Sequence, residues 1–364
     1  MRIAEVSPLY ERVPPRLYGG TERIVSYLTE ELVRQGHQVT LFASGDSITT
    51  AELAPCCDEA LRLNPHCVDP LAHHVLMLEK VFSRVDDFDV IHFHCDYLHF
   101  PLSRRFGKPH VTTLHGRLDL PDLPHIYEEF DEMPVVSISD AQRDPLPWLN
   151  WQGTVHHGLP PDLYPFCDQP GDYLAFLGRV SPEKGVDRAI EIARRARRPL
   201  RIAAKVDRAD QKYFEKVIEP LLRQSHVEFL GEIGESEKPA FLGQARALLF
   251  PVDWPEPFGL VMIEALACGT PVVAFRRGSV PEVLDNAQTG FICDTIDEAV
   301  EAVGQIEQLS RRRCRQTFEE RFTAARMASD YLKIFQKQLE AGSHHARGDR
   351  GRQAVLHSRN VAAR

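Results

Sequence analysis

Short apolar runs alternate along this chain with longer stretches in which apolar side chains recur every three or four positions. Residues 2–6 read as a strand, and a proline-rich loop (Pro8, Pro14, Pro15) then leads to Gly19-Gly20-Thr21-Glu22. A helix follows to about Gln35 with Ile24, Val25, Leu28 and Leu32 on one face. Gly36 stands where a helix C-cap belongs, and residues 38–43 read as the next strand. Further strands are expected at 90–93, 110–114 and 135–138. Prolines and glycines cluster from 158 to 171, after which the pattern restarts. There, strands at 173–178, 200–204, 227–230, 247–250 and 271–275 alternate with helical stretches such as 186–197. Strands alternating with helices at this spacing specify an α/β protein with parallel sheets. The expected divisions are a Rossmann-like unit over 1–160, a second over 161–314, and one long helix from about Arg315 to Leu339. That helix, within a crossover segment 315–341, carries Phe318, Phe322, Tyr331 and Phe335. Residues 342–364, rich in arginine and histidine, read as a disordered basic tail.

Composition narrows the class. A chain of 364 residues with 43% apolar and 26% charged side chains can build two ordinary cores. The formal net charge of −9 argues against nucleic acid as a partner. No apolar stretch approaches the roughly 20 residues that span a bilayer. The start of the chain shows no signal peptide. The eight cysteines are scattered, with Cys56 and Cys57 adjacent, as in a reduced cytoplasmic protein without a disulfide frame or zinc site.

The most informative stretch is 256–264, EPFGLVMIE. Glu256 and Glu264 flank a turn that opens a short apolar helix between two strands, at the carboxyl edge of a parallel sheet. The amides of Phe258, Gly259 and Leu260 lie at that helix start, where backbone N–H groups lack partners and suit a phosphate. Carboxylates on either side can accept hydrogen bonds from sugar hydroxyls. Arg179 and Lys184 stand at the end of a strand and in the loop after it, where two cations would neutralise a diphosphate. Gly19 and Gly20 open the first helix and allow close approach of a ligand, although a tight turn accounts for a glycine pair as well. Glu22 in that first turn complements the helix dipole. His115 follows the strand 110–114 and could donate a hydrogen bond to a sugar hydroxyl or a phosphate, although a histidine satisfied within its loop accounts for it as well. Two signals are set aside. His92, His94 and Cys95 have no further ligand at metal spacing, so they read as structural. Asp87-Phe88-Asp89 spells DxD but precedes its strand, at the wrong edge of the sheet. Trp148 and Trp151 read as core residues rather than as lining for an acceptor.

Taken together the chain resembles the family-4 retaining glycosyltransferases (glycosyl transferases group 1) of the GT-B fold, over roughly residues 1–340. The likeness rests on GGTER (19–23), LHG (114–116), FLGRVSPEKG (176–185), EPFGLVMIEALACGTPVVA (256–274) and VPEVL…TGF (280–291). It implies a nucleotide-diphosphate-sugar donor, a hydroxyl acceptor (glycan, lipid-linked or small molecule), no cofactor and no metal. By the same likeness Arg179 and Lys184 bind the diphosphate, Glu256 the donor sugar and Glu264 the ribose. The amides of Phe258, Gly259 and Leu260 contact sugar and phosphate. Gly20 shapes the phosphate and acceptor side, His115 lies near the reacting carbon, and the base is read by backbone near 231–233. Two departures stand out: Lys205-Val206-Asp207 replaces a glycine-rich turn, and His157-Gly158 replaces Asn-Gly. A nucleotide-sugar epimerase or a phosphorylase would share the fold, and a non-catalytic binding module would share the cleft. The resemblance leaves peripheral contact at the inner face of a membrane open.

Overall fold

The computed structural model describes residues 1–62 and 64–341, so the expected basic tail lies outside the described residues. Two parallel sheets carry the fold. The first contains β1 (Arg2–Val6), β2 (Gln38–Ser44), β3 (Glu52–Cys57), β4 (Val90–Phe93), β5 (His110–Thr113), β6 (Val135–Ser137) and β7 (Trp151–Thr154), in the order β3-β2-β1-β4-β5-β6-β7. The second contains β8 (Leu174–Arg179), β9 (Leu200–Lys205), β10 (Val227–Gly231), β11 (Ala247–Phe250), β12 (Val272–Phe275) and β13 (Gly290–Cys293), in the order β10-β9-β8-β11-β12-β13. Every strand pairing is parallel. The α/β class is therefore as expected.

Three strands were not anticipated: β3, β7 and β13. All three are sheet edges. Central strands of a parallel sheet are covered on both faces and read as unbroken apolar runs, as in Val90–Phe93, which is buried throughout. An edge strand needs no such run, and Trp151–Thr154 (WQGT) is half-buried along its whole length. The signal that marks a strand was missing for a physical reason.

The expected single helix over 315–339 is two helices. Arg311–Arg321 ends at Phe322, and a second helix runs over 324–341. Between them the chain makes a bridge to the first half: the Leu159 N–H donates to the Phe322 carbonyl (2.8 Å), and the Ala324 N–H donates to the Leu159 carbonyl (2.9 Å). The Thr323 hydroxyl then accepts from the Arg326 N–H at 3.2 Å and caps the second helix. An amphipathic period passes through such a joint unbroken, so the sequence pattern did not show it. Phe322, Met327, Tyr331 and Phe335 are fully buried in one apolar cluster that also holds Ile3, Ile24, Phe258 and Met262. One core thus joins both halves. Among the described residues no helix is long and apolar enough to cross a membrane.

Each sheet has a point where strand order reverses, between β1 and β4 and between β8 and β11. Ligands of open α/β sheets bind outside the strand ends at such points. The joint at Phe322 leaves no room beside it: a Cβ on Gly158 would stand 2.2 Å from the Thr323 carbonyl oxygen. Gly158→Ala is therefore expected to lower stability by roughly 1–3 kcal/mol, the cost of overpacking. Gly304→Ala, in a helix with nothing within 4 Å of the new methyl, should be neutral or stabilising. Urea midpoints of the two variants check the contrast.

Candidate active site

A cavity of about 890 Å³ lies between the reversal points of the two sheets. All the residues singled out from sequence line it: Gly19, Gly20, His115, Arg179, Lys184, Glu256, Phe258, Gly259, Leu260 and Glu264. Those residues come from four segments of the chain, and it is the topology that brings them together.

The wall from the second half is built around the turn after β11. Gly259 is the N-cap of the helix Leu260–Ala267 with φ 76°. A Cβ there would stand 2.9 Å from both Met262 Cε and Phe250 Cζ, so glycine is required on two grounds. The turn is braced from behind by the segment before Val280. The Ser279 N–H donates to the Glu256 carbonyl (3.0 Å) and the Ser279 hydroxyl to the Phe258 carbonyl (2.8 Å). Gly278 (φ 51°) approaches so closely that a Cβ would lie 2.2 Å from the Glu256 carbonyl oxygen. The EPFG turn is thus positioned by backbone on both sides.

Both glutamates of that turn and helix face the cavity, and both are held by cations. Lys184 donates to Glu256 Oε2, and the Trp254 indole N–H donates to the same oxygen at 2.9 Å. Lys238 donates to Glu264 Oε1 at 2.8 Å, and the Tyr164 hydroxyl lies between that oxygen at 3.0 Å and Glu235 Oε1 at 2.5 Å. Their side chains are 10% and 4% exposed, so these are protected carboxylates within reach of the cavity. Arg179 is different. Glu183, Asp207 and Asp210 stand 3.7–3.9 Å away, and its buried Nε has no hydrogen-bond partner. A guanidinium surrounded but unbonded is ready for an anion with the right geometry. Lys205 and Asp207, from the loop that departs from the family pattern, pair with each other at 3.0 Å beside it.

The wall from the first half begins at the helix Gly20–Arg34. A Cβ on Gly20 would be 3.6 Å from Leu260 Cδ1, so two helix starts meet across the cavity. Arg23 crosses to pair with Glu235, and the Tyr18 N–H donates to Glu232 Oε1 at 3.2 Å. Glu235 also pairs with Lys238 at 3.2 Å. Burial pushes the Glu235 carboxyl up, but Lys238 and Arg23 outweigh it and leave it below the usual range. Glu22 is only 4% exposed, and burial raises its carboxyl to about 7. It lines the cavity wall as well as standing in the first turn of the helix.

His115 stands at the end of a buried chain of polar groups. Its Nε2 is 2.8 Å from His94 Nδ1, and His94 Nε2 is 2.8 Å from Glu5 Oε2. His92 Nδ1 is 3.2 Å from Glu5 Oε1, and His92 Nε2 is 2.8 Å from the Thr113 hydroxyl. The expectation that His92 and His94 have no further ligand needs correction. Glu5, opposite His92 in the sheet, brings three potential ligand atoms within 4.8 Å of one another. These atoms are fully buried and bonded to each other, which supports the structural reading of the pair. Cys95 is buried and outside this group. Glu5 was missed because a single glutamate in a five-residue strand carries no motif. A charge within an apolar central strand was the available signal.

Other expectations sort cleanly. Asp89 pairs with Arg2 at 2.8 Å, at the opposite strand ends from the cavity. Trp148 is not core but 45% exposed, because it follows a short turn at the rim of the first sheet. Trp151 is half-buried in edge strand β7 and donates to the Leu146 carbonyl. The tryptophan at the site is Trp254. His74 lines the cavity. His157, from the second departure, is buried between His115 (stacked, 5.4 Å) and Phe258 (edge-on, 4.8 Å). All eight cysteines are free.

The raised Glu22 carboxyl gives a pH prediction. Folded Glu22 holds its proton to about pH 7, whereas the unfolded group loses it near 4.5, so its contribution is complete below 4.5 and lost as pH rises to about 7. Relative to wild type, Glu22→Gln should gain stability across that window, by up to about 3 kcal/mol. Melting temperatures of both proteins from pH 4.5 to 8 check it, and parallel curves would contradict it.

Comparison with known proteins places this arrangement. Residues 168–322 match the family of glycosyl transferases group 1, and residues 18–151 match glycosyltransferase family 4. A glycogen synthase of Mycobacterium tuberculosis is 29% identical over 353 residues, covering 82% of this chain and 84% of the relative. An N-acetyl-alpha-D-glucosaminyl L-malate synthase of Bacillus anthracis is 24% identical, covering 87% and 93%. Among solved structures, a sucrose-phosphate synthase of Thermosynechococcus elongatus superposes with a TM-score of 0.77 at 18% identity, covering 94% of this chain and all of that one. HepE of Anabaena, in complex with UDP and glucose, superposes with a TM-score of 0.71 at 17% identity, covering 92% and 99%. Two matched units that together span most of the chain, on two facing parallel sheets, make it a glycosyltransferase of the group 1/family 4 type with the GT-B fold.

Proposed function

We propose that this glycosyltransferase moves a sugar from a nucleotide-diphosphate-sugar to an acceptor hydroxyl, without a metal and with retention of configuration. The observation that carries the reading is the convergence on one cavity of Arg179, Lys184 and the open helix start at Gly259-Leu260 with Glu256 and Glu264. The pyrophosphate lies against Arg179, Lys184 and the amides of Phe258, Gly259 and Leu260. Glu256 accepts from hydroxyls of the donor sugar and Glu264 from the ribose, each exchanging part of its bonding to lysine for the ligand. Backbone near 231–233 meets the base. Gly19 and Gly20 let the phosphate and acceptor approach the first helix, and His115 stands beside the sugar. The HepE complex with UDP and glucose supports a nucleotide-sugar in this fold.

The chemistry rests on electrostatics. As the bond from the anomeric carbon to the phosphate oxygen breaks, both cations and the helix start stabilise the negative charge left on the diphosphate. The acceptor oxygen bonds to the same face of the anomeric carbon, and its proton passes to the departing phosphate oxygen. The free cysteines suit a reducing cytoplasm, and the acceptor is a soluble or lipid-linked hydroxyl met there.

Lys184→Ala should lower turnover by about 10²-fold or more, the scale for removing one such stabilising group. Trp254 continues to donate to Glu256 in that variant, so the protein should remain folded. Release of nucleoside diphosphate, measured across a panel of nucleotide-sugars, reads the effect. Turnover near that of wild type would remove Lys184 from the diphosphate.

A further inference from the structure

The buried chain behind His115 has a direction that its chemistry dictates. Glu5 is fully buried and receives two imidazole nitrogens, one on each oxygen. In its ionised form Glu5 only accepts, and His92 Nδ1 and His94 Nε2 then both carry hydrogens. A neutral imidazole has one N–H, which leaves His94 Nδ1 as an acceptor. His115 Nε2, 2.8 Å away, must then be the donor, and its Nδ1 is left without a hydrogen. The other arm closes in the same sense. His92 Nε2 accepts from the Thr113 hydroxyl, which accepts from the Tyr331 hydroxyl at 2.9 Å. No donor in the chain lacks an acceptor. The single atom left over is His115 Nδ1, which is buried and has no hydrogen-bond partner on a ring that lines the cavity.

We infer that Glu5 and His94 are positioning residues that fix His115 with its hydrogen on Nε2, so that Nδ1 faces its ligand as an acceptor and takes an O–H group rather than a phosphate oxygen. This rests on the proposed reaction and sharpens it: His115 does not donate to the ligand, as the sequence allowed, but accepts from a hydroxyl of the sugar. His94 and His115 are both neutral, as the direction of the chain requires. Burial, with His157 stacked on its face, holds His115 well below the usual imidazole range, so the ring is neutral. Burial and the neighbouring His92 lower His94 to about 3. Burial also raises the Glu5 carboxyl, against the pull of the His94 N–H. The groups facing this chain are Thr113, His157 and, from the helix over 324–341, Tyr331 and Phe335. The cation nearest to them, Arg326 on the same helix, donates to the His156 and His157 carbonyls and pairs with Asp330, not with the chain.

The test is nitrogen-15 NMR of the full chain labelled at histidine, with the 16 histidines assigned by single substitutions. In the wild type, His115 should show a protonated, pyrrole-like Nε2 and an unprotonated, pyridine-like Nδ1. Glu5→Gln offers one acceptor and one donor in place of two acceptors, so the His94 and His115 signals should shift toward mixed tautomers. Turnover should fall about tenfold in that variant, the scale of one hydrogen bond. His115→Ala should weaken a nucleotide-sugar about tenfold while leaving the nucleoside diphosphate within about twofold. A hydrogen on His115 Nδ1 in the wild type overturns the inference, as does an equal loss of both ligands in His115→Ala. Should Glu5→Gln fail to fold, the wild-type spectrum decides alone. A wild type with the expected spectrum but no nucleotide-sugar turnover would defeat the proposed reaction and leave the relay standing.

Discussion

A carboxylate taken out of water must be matched by a positive partner or a set of hydrogen-bond donors, and the cavity of this protein is organised by that requirement. Glu256 is matched by Lys184 and Trp254, Glu264 by Lys238 and Tyr164, and Glu235 by Lys238 and Arg23. Glu5 is matched by two histidines. Arg23 belongs to the first half and Glu235 to the second, so the pairing also ties the halves across the cleft. Each carboxylate has two partners, so removing one leaves it to the other. The cavity wall is therefore a connected set of charges rather than a collection of separate contacts.

Arg179 stands apart from this balance. Its acidic neighbours are near enough to hold it and too far to bond it, and its Nε has no partner. His115 Nδ1 is the complementary case, an acceptor without a donor. A cavity that leaves Arg179 Nε, His115 Nδ1 and His157 Nδ1 without partners is prepared for a ligand that brings an anion and a hydroxyl. A sugar joined to a diphosphate carries both. The backbone around the EPFG turn keeps these groups in register, because Gly259 and Gly278 each sit where any side chain would collide.

Much of this was legible in the sequence, and what was not has identifiable causes. Central strands such as Val90–Phe93 announce themselves because both faces are buried, whereas β3, β7 and β13 do not because edges can be polar. The residues from Glu256 to Glu264 could be read because one turn and one helix hold them all. Glu5, His94 and His115 could not be read as a unit, since they lie on three segments and only the order β1-β4-β5 makes them neighbours. The joint at Phe322 was hidden because the apolar period continues through it. His157 looked like a departure from the family pattern, and it proves to be packed between His115 and Phe258.

The central claim is that the cleft recognises a pyrophosphate, and calorimetric titration of the wild type and of Arg179→Ala with a matched nucleoside, monophosphate and diphosphate tests it most directly. The account predicts that the diphosphate binds far more tightly than the monophosphate, that the gap narrows sharply in Arg179→Ala, and that the nucleoside does not distinguish the two proteins. Equal affinity for monophosphate and diphosphate, or an unchanged gap in the variant, would contradict it.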